Sequence, residues 1–111
     1  MAIHTRLGPG LLESVYETSL AYDLAQIGLN VKRQVAVPFV YKDVRMEVGF
    51  RIDILVDDIV LLEIKSIEAL APVHFAQTLT YLRLANLKLG MLINFNVKSL
   101  SEGVHRVVNK L

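Results

Sequence analysis

Cysteine is missing from this 111-residue chain, which excludes a disulfide framework, a cysteine nucleophile and every thiolate metal site. His4, His74 and His105 are too far apart to give a zinc-binding spacing. Charge of one sign is also lacking. Twelve basic and eleven acidic side chains leave a formal net charge of +1, so this is no polycation that coats nucleic acid non-specifically. Contact with a phosphate backbone would need a local basic surface or divalent cations. No run of about eighteen apolar residues offers a membrane span, and no basic stretch leads into an apolar targeting segment. For a bacterial source the expected location is cytoplasmic. No linker, repeat or low-complexity segment divides the sequence, so residues 1–111 are read as one domain.

What is present is 53% hydrophobic and 21% charged, the composition of a chain with a packed core. Leu7-Gly8-Pro9-Gly10 reads as a turn, and the run from Leu11 to near Gly28 as a helix. On its wheel Leu12, Tyr16, Leu20, Leu24 and Ile27 form one face, expected to pack on a sheet, with Glu13 near the middle of that face. A carboxylate there needs a metal, a base or a water-filled cleft.

Alternation then takes over. Val35, Val37, Phe39 and Tyr41 mark a first strand in which Pro38 implies an edge, a bulge or a break. Lys42-Asp43 reads as a turn, Glu47 to Val56 as a second strand, Asp57-Asp58 as another turn and Val60 to Lys65 as a third strand. Helical spacing returns from Pro72 to about Leu87, with Phe75, Leu79 and Leu82 on one stripe and Gln77, Tyr81 and Leu84 on another. Leu89 to Phe95 is a short apolar strand suited to the sheet interior. Ser99 to Gly103 reads as a turn or short helix and Val104 to Val108 as a candidate final strand. The expected fold is α/β, a mixed sheet flanked by helices in the approximate order αβββαβ.

The chemistry concentrates at Asp53, Glu63 and Lys65. In the third strand Glu63 and Lys65 share a face, with Ile64 on the reverse. In the second, Asp53 is expected to share a face with Arg51 and Leu55. A three-residue connection, Asp57-Asp58-Ile59, puts Asp53 opposite Glu63, whereas a two-residue turn aligns it with Leu62 and sends the acids to opposite faces. The longer connection, or a compensating bulge, is therefore expected. Two acids held together resist joint ionisation unless a cation is present. Mg²⁺ or Mn²⁺ suits carboxylate oxygens and water, with the Ile64 carbonyl as a further ligand. Lys65 is placed to hold the attacking water or to stabilise developing phosphoryl charge. Glu13 is expected to approach from the first helix as a supporting metal ligand, backed by Tyr16, and Gln77 and Tyr81 from the second helix to orient water or contact substrate.

Each assignment has a plainer competitor. The acids and lysine could belong to an ordinary charged hairpin, and Glu13 could be a structural acid. Tyr16 and Tyr81 could mainly pack. His74 could be a helix-start residue or a substrate contact, with His4 and His105 weaker still. Arg51, Arg83, Lys88 and Arg106 could form a phosphate-facing rim or serve only solubility. Asn94 and Asn96 are expected to satisfy the end of a strand and its following turn.

Taken in order, Gly10-Leu-Leu-Glu13-Ser-Val-Tyr16, Gly49-Phe-Arg-Ile-Asp53, Glu63-Ile-Lys65, Pro72-Val-His74, Gln77-Thr-Leu-Thr-Tyr81 and Leu92-Ile-Asn-Phe-Asn96 resemble the GxxExxY family. This is a branch of the PD-(D/E)XK, or restriction-endonuclease-like, nuclease superfamily, and the resemblance spans essentially the whole chain. It implies a restriction-endonuclease-like core, catalytic metal held by Asp53 and Glu63, water assistance by Lys65, an active-site acid at Glu13 and a supporting pair at Gln77 and Tyr81. The superfamily's usual proline is not beside Asp53, where Arg51 and Ile52 stand instead. Many members carry extra residues before the segment around His4, so the start reads as either short or incomplete. The function implied is Mg²⁺- or Mn²⁺-dependent hydrolysis of DNA phosphodiester bonds, with RNA as a second substrate class. An inactive nucleic-acid-binding module and a homodimeric interaction protein built on the apolar second helix are the competing readings.

Overall fold

The computed structural model describes residues 2–110, without the side chains of Ala2 and His4, so a role for the His4 side chain falls outside the described residues. Two helices come first, α1 (Ala2–Leu7) and α2 (Glu13–Gln26). Gly8-Pro9-Gly10 separates them, with both glycines at positive φ, a region where a side chain costs energy. Strands β1 (Val31–Tyr41), β2 (Val44–Val56) and β3 (Val60–Lys65) follow. Helix α3 (Pro72–Ala85) leads to β4 (Leu89–Asn94), a 3₁₀ turn at Leu100–Glu102 and β5 (Val104–Val108). The candidate final strand therefore forms. The separate α1 and an earlier start of β1, at Val31, are the main additions to the sequence-based order.

The five strands lie in the order β1-β2-β3-β4-β5, antiparallel except for the parallel β3–β4 pair that α3 connects. One face packs Tyr16, Leu20 and Ala21 of α2 on Ile54, Leu62, Ile64, Ile93 and Phe95. The other packs Leu82 of α3 on Val37, Ile52, Leu55 and Leu61. Leu12 and Ile27 flank α2 and are 75% and 74% exposed, so they are not part of its packing face. That face instead follows Tyr16, Glu17, Leu20 and Ala21. Glu13 is exposed, and the buried acid is Glu17, one turn later.

The β2–β3 hairpin settles the register. Asp57 and Asp58 both have positive φ, as a type I′ turn requires, and Ile59 N–H closes it on the Val56 carbonyl at 3.0 Å. Pairing nevertheless resumes at Val56↔Val60, followed by Leu55↔Leu61 and Ile54↔Leu62. Exposed Ile59 is thus left out of the ladder, and the connection is the three-residue one. Pro38 lies where the β1–β2 register shifts, between Val37 and Phe39. Gly49 meets that bulge so closely that an added Cβ would stand 2.5 Å from the Phe39 Cβ.

Strict alternation fails at one place in β1 and β2. Val31, Ile54 and Val56 belong to the α2-side core, but Val35, Val37, Phe50 and Ile52 belong to the α3-side core together with Leu55. Both strands change face between the pairs Arg33↔Ile54 and Val35↔Ile52, that is, at Gln34 and Asp53. Gln34 has φ +50°, which breaks the pleat. Arg51 consequently alternates with Ile52 and Phe50 and lies exposed on the face opposite Leu55, so the expected Arg51–Asp53–Leu55 face does not form.

Candidate active site

The β2–β3 ladder ends at Ile54↔Leu62, and the next residue of each strand is an acid. Ile64 N–H, left without a backbone partner on β2, donates to Asp53 Oδ2 at 2.8 Å. Because the N–H and C=O of an extended residue point to the same strand edge, the Ile64 carbonyl also faces the Asp53 side. Glu63 follows Leu61 on the α3 face and Lys65 follows Glu63, while Leu62 and Ile64 pack on the α2 face. The strand that carries the two functional groups is thus fixed on its reverse by a buried apolar row.

Glu63 is 5% exposed, and its Oε1 has no hydrogen-bond partner among the described residues. Burial, then the charge of Asp53, raises its pKa to about 8, with Lys65 opposing the rise. Asp53 also sits above the usual carboxylate range, chiefly through burial and against the lowering effect of the Ile64 N–H. The two carboxyls therefore oppose each other's ionisation. Lys65 is half-buried and acts on both acids electrostatically, but forms none of the ion pairs found among the described residues. Tyr81 covers the acids from α3 with its ring stacked on Phe50 at 4.1 Å. Burial, then Glu63 and Asp53, raises the pKa of its hydroxyl.

The remaining candidates divide. Glu13 reaches the far end of β3, where its Oε2 accepts the Ser66 N–H at 3.3 Å, beside a cavity of about 490 Å³ that Glu13, Ser66 and Asn96 help to line. It flanks the strand end rather than joining the acids, and no group of three acidic or histidine ligands assembles among the described residues. Gln77 is exposed on the same side of α3 as Tyr81, one turn nearer the helix start, with no hydrogen bond to the acids. Tyr16 is fully buried, stacked on Phe95 at 4.5 Å, with its hydroxyl donating to the Gly8 carbonyl and accepting the Leu11 N–H. It braces the α1–α2 loop and has no surface with which to meet a substrate. His74 Nδ1 accepts the Ala71 N–H at 2.8 Å and so caps the start of α3, the plainer of its two readings. Asn94 Oδ1 accepts the N–H of Ile67 and of Asn96 while its Nδ2 donates to the Ile67 carbonyl, satisfying the strand end as expected.

Sequence reasoning passed over Glu17, Arg33 and Gln34. Glu17 is 6% exposed. Its Oε2 accepts Arg33 Nε and Nη2 at 3.0 and 2.8 Å, and its Oε1 accepts Gln34 Nε2 at 2.7 Å. The spacing of Glu17 from Leu20, Ala21 and Leu24 was a usable signal that it lies on the buried face.

The donor set fits a hard divalent cation. Asp53 and Glu63 offer two carboxylates at the end of a ladder, Ile64 a carbonyl facing the same edge, and Glu63 Oε1 is a buried oxygen with no protein donor. One or two carboxylates completed by water and phosphate oxygens are what Mg²⁺ commonly takes.

A family model for the PD-(D/E)XK nuclease superfamily matches residues 1–107. Comparison with curated proteins and with solved structures gave no significant match to either. Members of this superfamily generally use divalent metal ions, and the family points to nuclease-type chemistry on nucleic acid. The mixed five-stranded sheet with three helices agrees with a restriction-endonuclease-like fold. With nearly the whole chain matched, and the acids and lysine of its motif meeting at one ladder end, the protein belongs to the PD-(D/E)XK nuclease superfamily.

Proposed function

We propose that residues 1–111 form one nuclease domain that hydrolyses DNA phosphodiester bonds with Mg²⁺ or Mn²⁺ held by Asp53, Glu63 and the Ile64 carbonyl. The observation that carries this reading is the acid pair at an opened ladder end, Glu63 buried and Asp53 half-buried, with Glu63 Oε1 unpartnered and Lys65 beside it. A divalent cation bound there supplies Lewis-acid polarisation of the scissile phosphate and lowers the pKa of an attacking water.

The chain's own groups do the rest. Ile64 N–H fixes one Asp53 oxygen, leaving the other for ligation. Glu63 gives up its proton when it becomes a ligand, so cation affinity rises with pH up to about 8. The Lys65 ammonium donates to the attacking water or to the developing phosphoryl charge. Tyr81, held against Phe50, walls the acids from the α3 side, and Gln77 offers an exposed amide one turn away for substrate. Glu13, tied to Ser66, borders the cleft at the end of β3.

Purified protein is tested on single-stranded, double-stranded, nicked and branched DNA and on RNA, with Mg²⁺, Mn²⁺ or chelator. Cleavage should require the cation and be lost in Asp53→Ala, Glu63→Ala and Lys65→Ala proteins that keep wild-type folding. Equal turnover by wild type and all three variants would sink the mechanism. Binding without cleavage and without cation dependence would favour an inactive nucleic-acid-binding module, and absence of both with a stable dimer an interaction protein. Preference for RNA would change the substrate class and leave the site assignment standing.

A further inference from the structure

Neighbouring residues of a regular strand point to opposite faces, yet Arg33 and Gln34 both hydrogen-bond the carboxylate of Glu17. They can do so because Gln34 has φ +50°, a left-handed conformation that is unfavourable for a non-glycine residue. The buried Glu17 offsets that cost: Arg33 takes one of its oxygens and Gln34 the other. Arg33 Nη2 also reaches Thr18 Oγ1 at 2.9 Å, tying the pair to the same turn of α2.

The distortion falls opposite Asp53. Pairing runs Arg33↔Ile54 and then Val35↔Ile52, omitting Gln34 and Asp53, and the apolar faces of both strands exchange at this step. Asp53 is thereby released from the β1 ladder. Its Oδ2 turns to Ile64 N–H, and its Oδ1 lies 3.5 Å from Gln34 Nε2, at the outer limit of hydrogen bonding. One amide therefore stands between a buried helix acid and a site acid.

We propose that Gln34, anchored on Glu17, is a positioning residue for the reaction: its left-handed backbone and bridging amide hold Asp53 out of the β1–β2 ladder and aimed at Ile64 and Glu63. The catalytic relevance rests on the nuclease reading above, but the positioning itself can be measured without it. Glu17 then belongs to the support of the site from the α2 side, and no contact of either residue with substrate is needed.

Two variants test the bridging amide with the left-handed backbone left in place. Gln34→Gly keeps the left-handed backbone without strain and removes the amide, while Gln34→Glu keeps the size and replaces the donor with a third carboxylate. Amide hydrogen exchange at Ile64 reports the Asp53 hydrogen bond directly, and Mn²⁺ titration by calorimetry reports the acid pair. In Gln34→Gly we expect Ile64 exchange to speed up and Mn²⁺ affinity to fall, each by about tenfold, with exchange at Leu61 and Leu92 unchanged. Gln34→Glu should lose more Ile64 protection. Wild-type Ile64 protection and Mn²⁺ affinity in a folded Gln34→Gly protein would overturn the inference even if Gln34→Glu fails to fold. If wild type binds no Mn²⁺, the metal-dependent reading fails, and the Ile64 comparison alone still decides the role of Gln34.

Discussion

Between Ile54 and Val56, β2 has a neighbour on each edge and packed side chains on both faces, whereas from Val44 to Phe50 it pairs with β1 alone and exposes Val44, Met46 and Val48. The same strand is core at one end and a projecting ribbon at the other. Asp53 sits where one becomes the other. The site depends on that boundary: an acid inside the three-stranded part would have its backbone locked in two ladders, and one out on the ribbon would be solvated and far from β3. At the junction Asp53 is held from one side by Ile64 N–H and is still open to a ligand from the other.

Substitution has its largest effect at the junction itself. Asp53→Asn should reduce cation-dependent cleavage by about 10³-fold or more, measured as single-turnover rate. On the core side, Ile54→Ala removes a fully buried side chain and should cost about 2–5 kcal/mol of stability, read from the denaturation midpoint. Next in size is a pH effect. Glu63 titrates at about 8 in the folded chain rather than near 4.5, and Asp53 is displaced in the same direction. Both raised values favour the protonated folded state, so the stability they contribute is complete below their ordinary values of 3.8 and 4.5, and the share of Glu63 is lost as pH rises through about 8. The cation-free protein should therefore lose stability over that window, and Glu63→Gln should flatten the profile and be more stable than wild type by about 1–3 kcal/mol at pH 8. The smallest effect belongs to the ribbon, where Tyr41→Ser should change stability by no more than about 0.5 kcal/mol, because Tyr41 is 58% exposed. A loss as large as that of Ile54→Ala would mean that the ribbon is part of the cooperative core.

These residues also mark how far the sequence could be read. Alternation in Val60 to Lys65 was enough to put Glu63 and Lys65 on one face, because β3 is regular and fixed by Leu62 and Ile64 behind it. The Asp57-Asp58 turn and the demand that two acids meet were enough for the β2–β3 register. In β2 the same rule misplaced Arg51, since a pattern of side chains carries no mark of a positive φ at Gln34 on another strand. For α2, periodicity gives the helix and puts Tyr16, Leu20 and Leu24 on its packed face, but it extends that face to Leu12 and Ile27, which flank the helix and are exposed, and so favours Glu13 over Glu17. Gln77 and Tyr81 were rightly put on one side of α3, but only Tyr81 is close enough for the acids to affect it. Pairwise approach of helix and strand is tertiary information that spacing along the chain does not contain.

The loop residue Ile59 has a consequence for how the chain can change. The turn at Asp57-Asp58 already closes on Val56, and Ile59 sits outside the ladder, 62% exposed. Removing it would leave a two-residue loop joining Val56 to Val60, with Asp53 still opposite Glu63. Drawing it into β3 would instead slide every residue from Val60 to Lys65 by one and send Glu63 to the far side of the sheet. The hairpin thus has two competing reading frames, and the acids meet only in the one that keeps Ile59 out of the count.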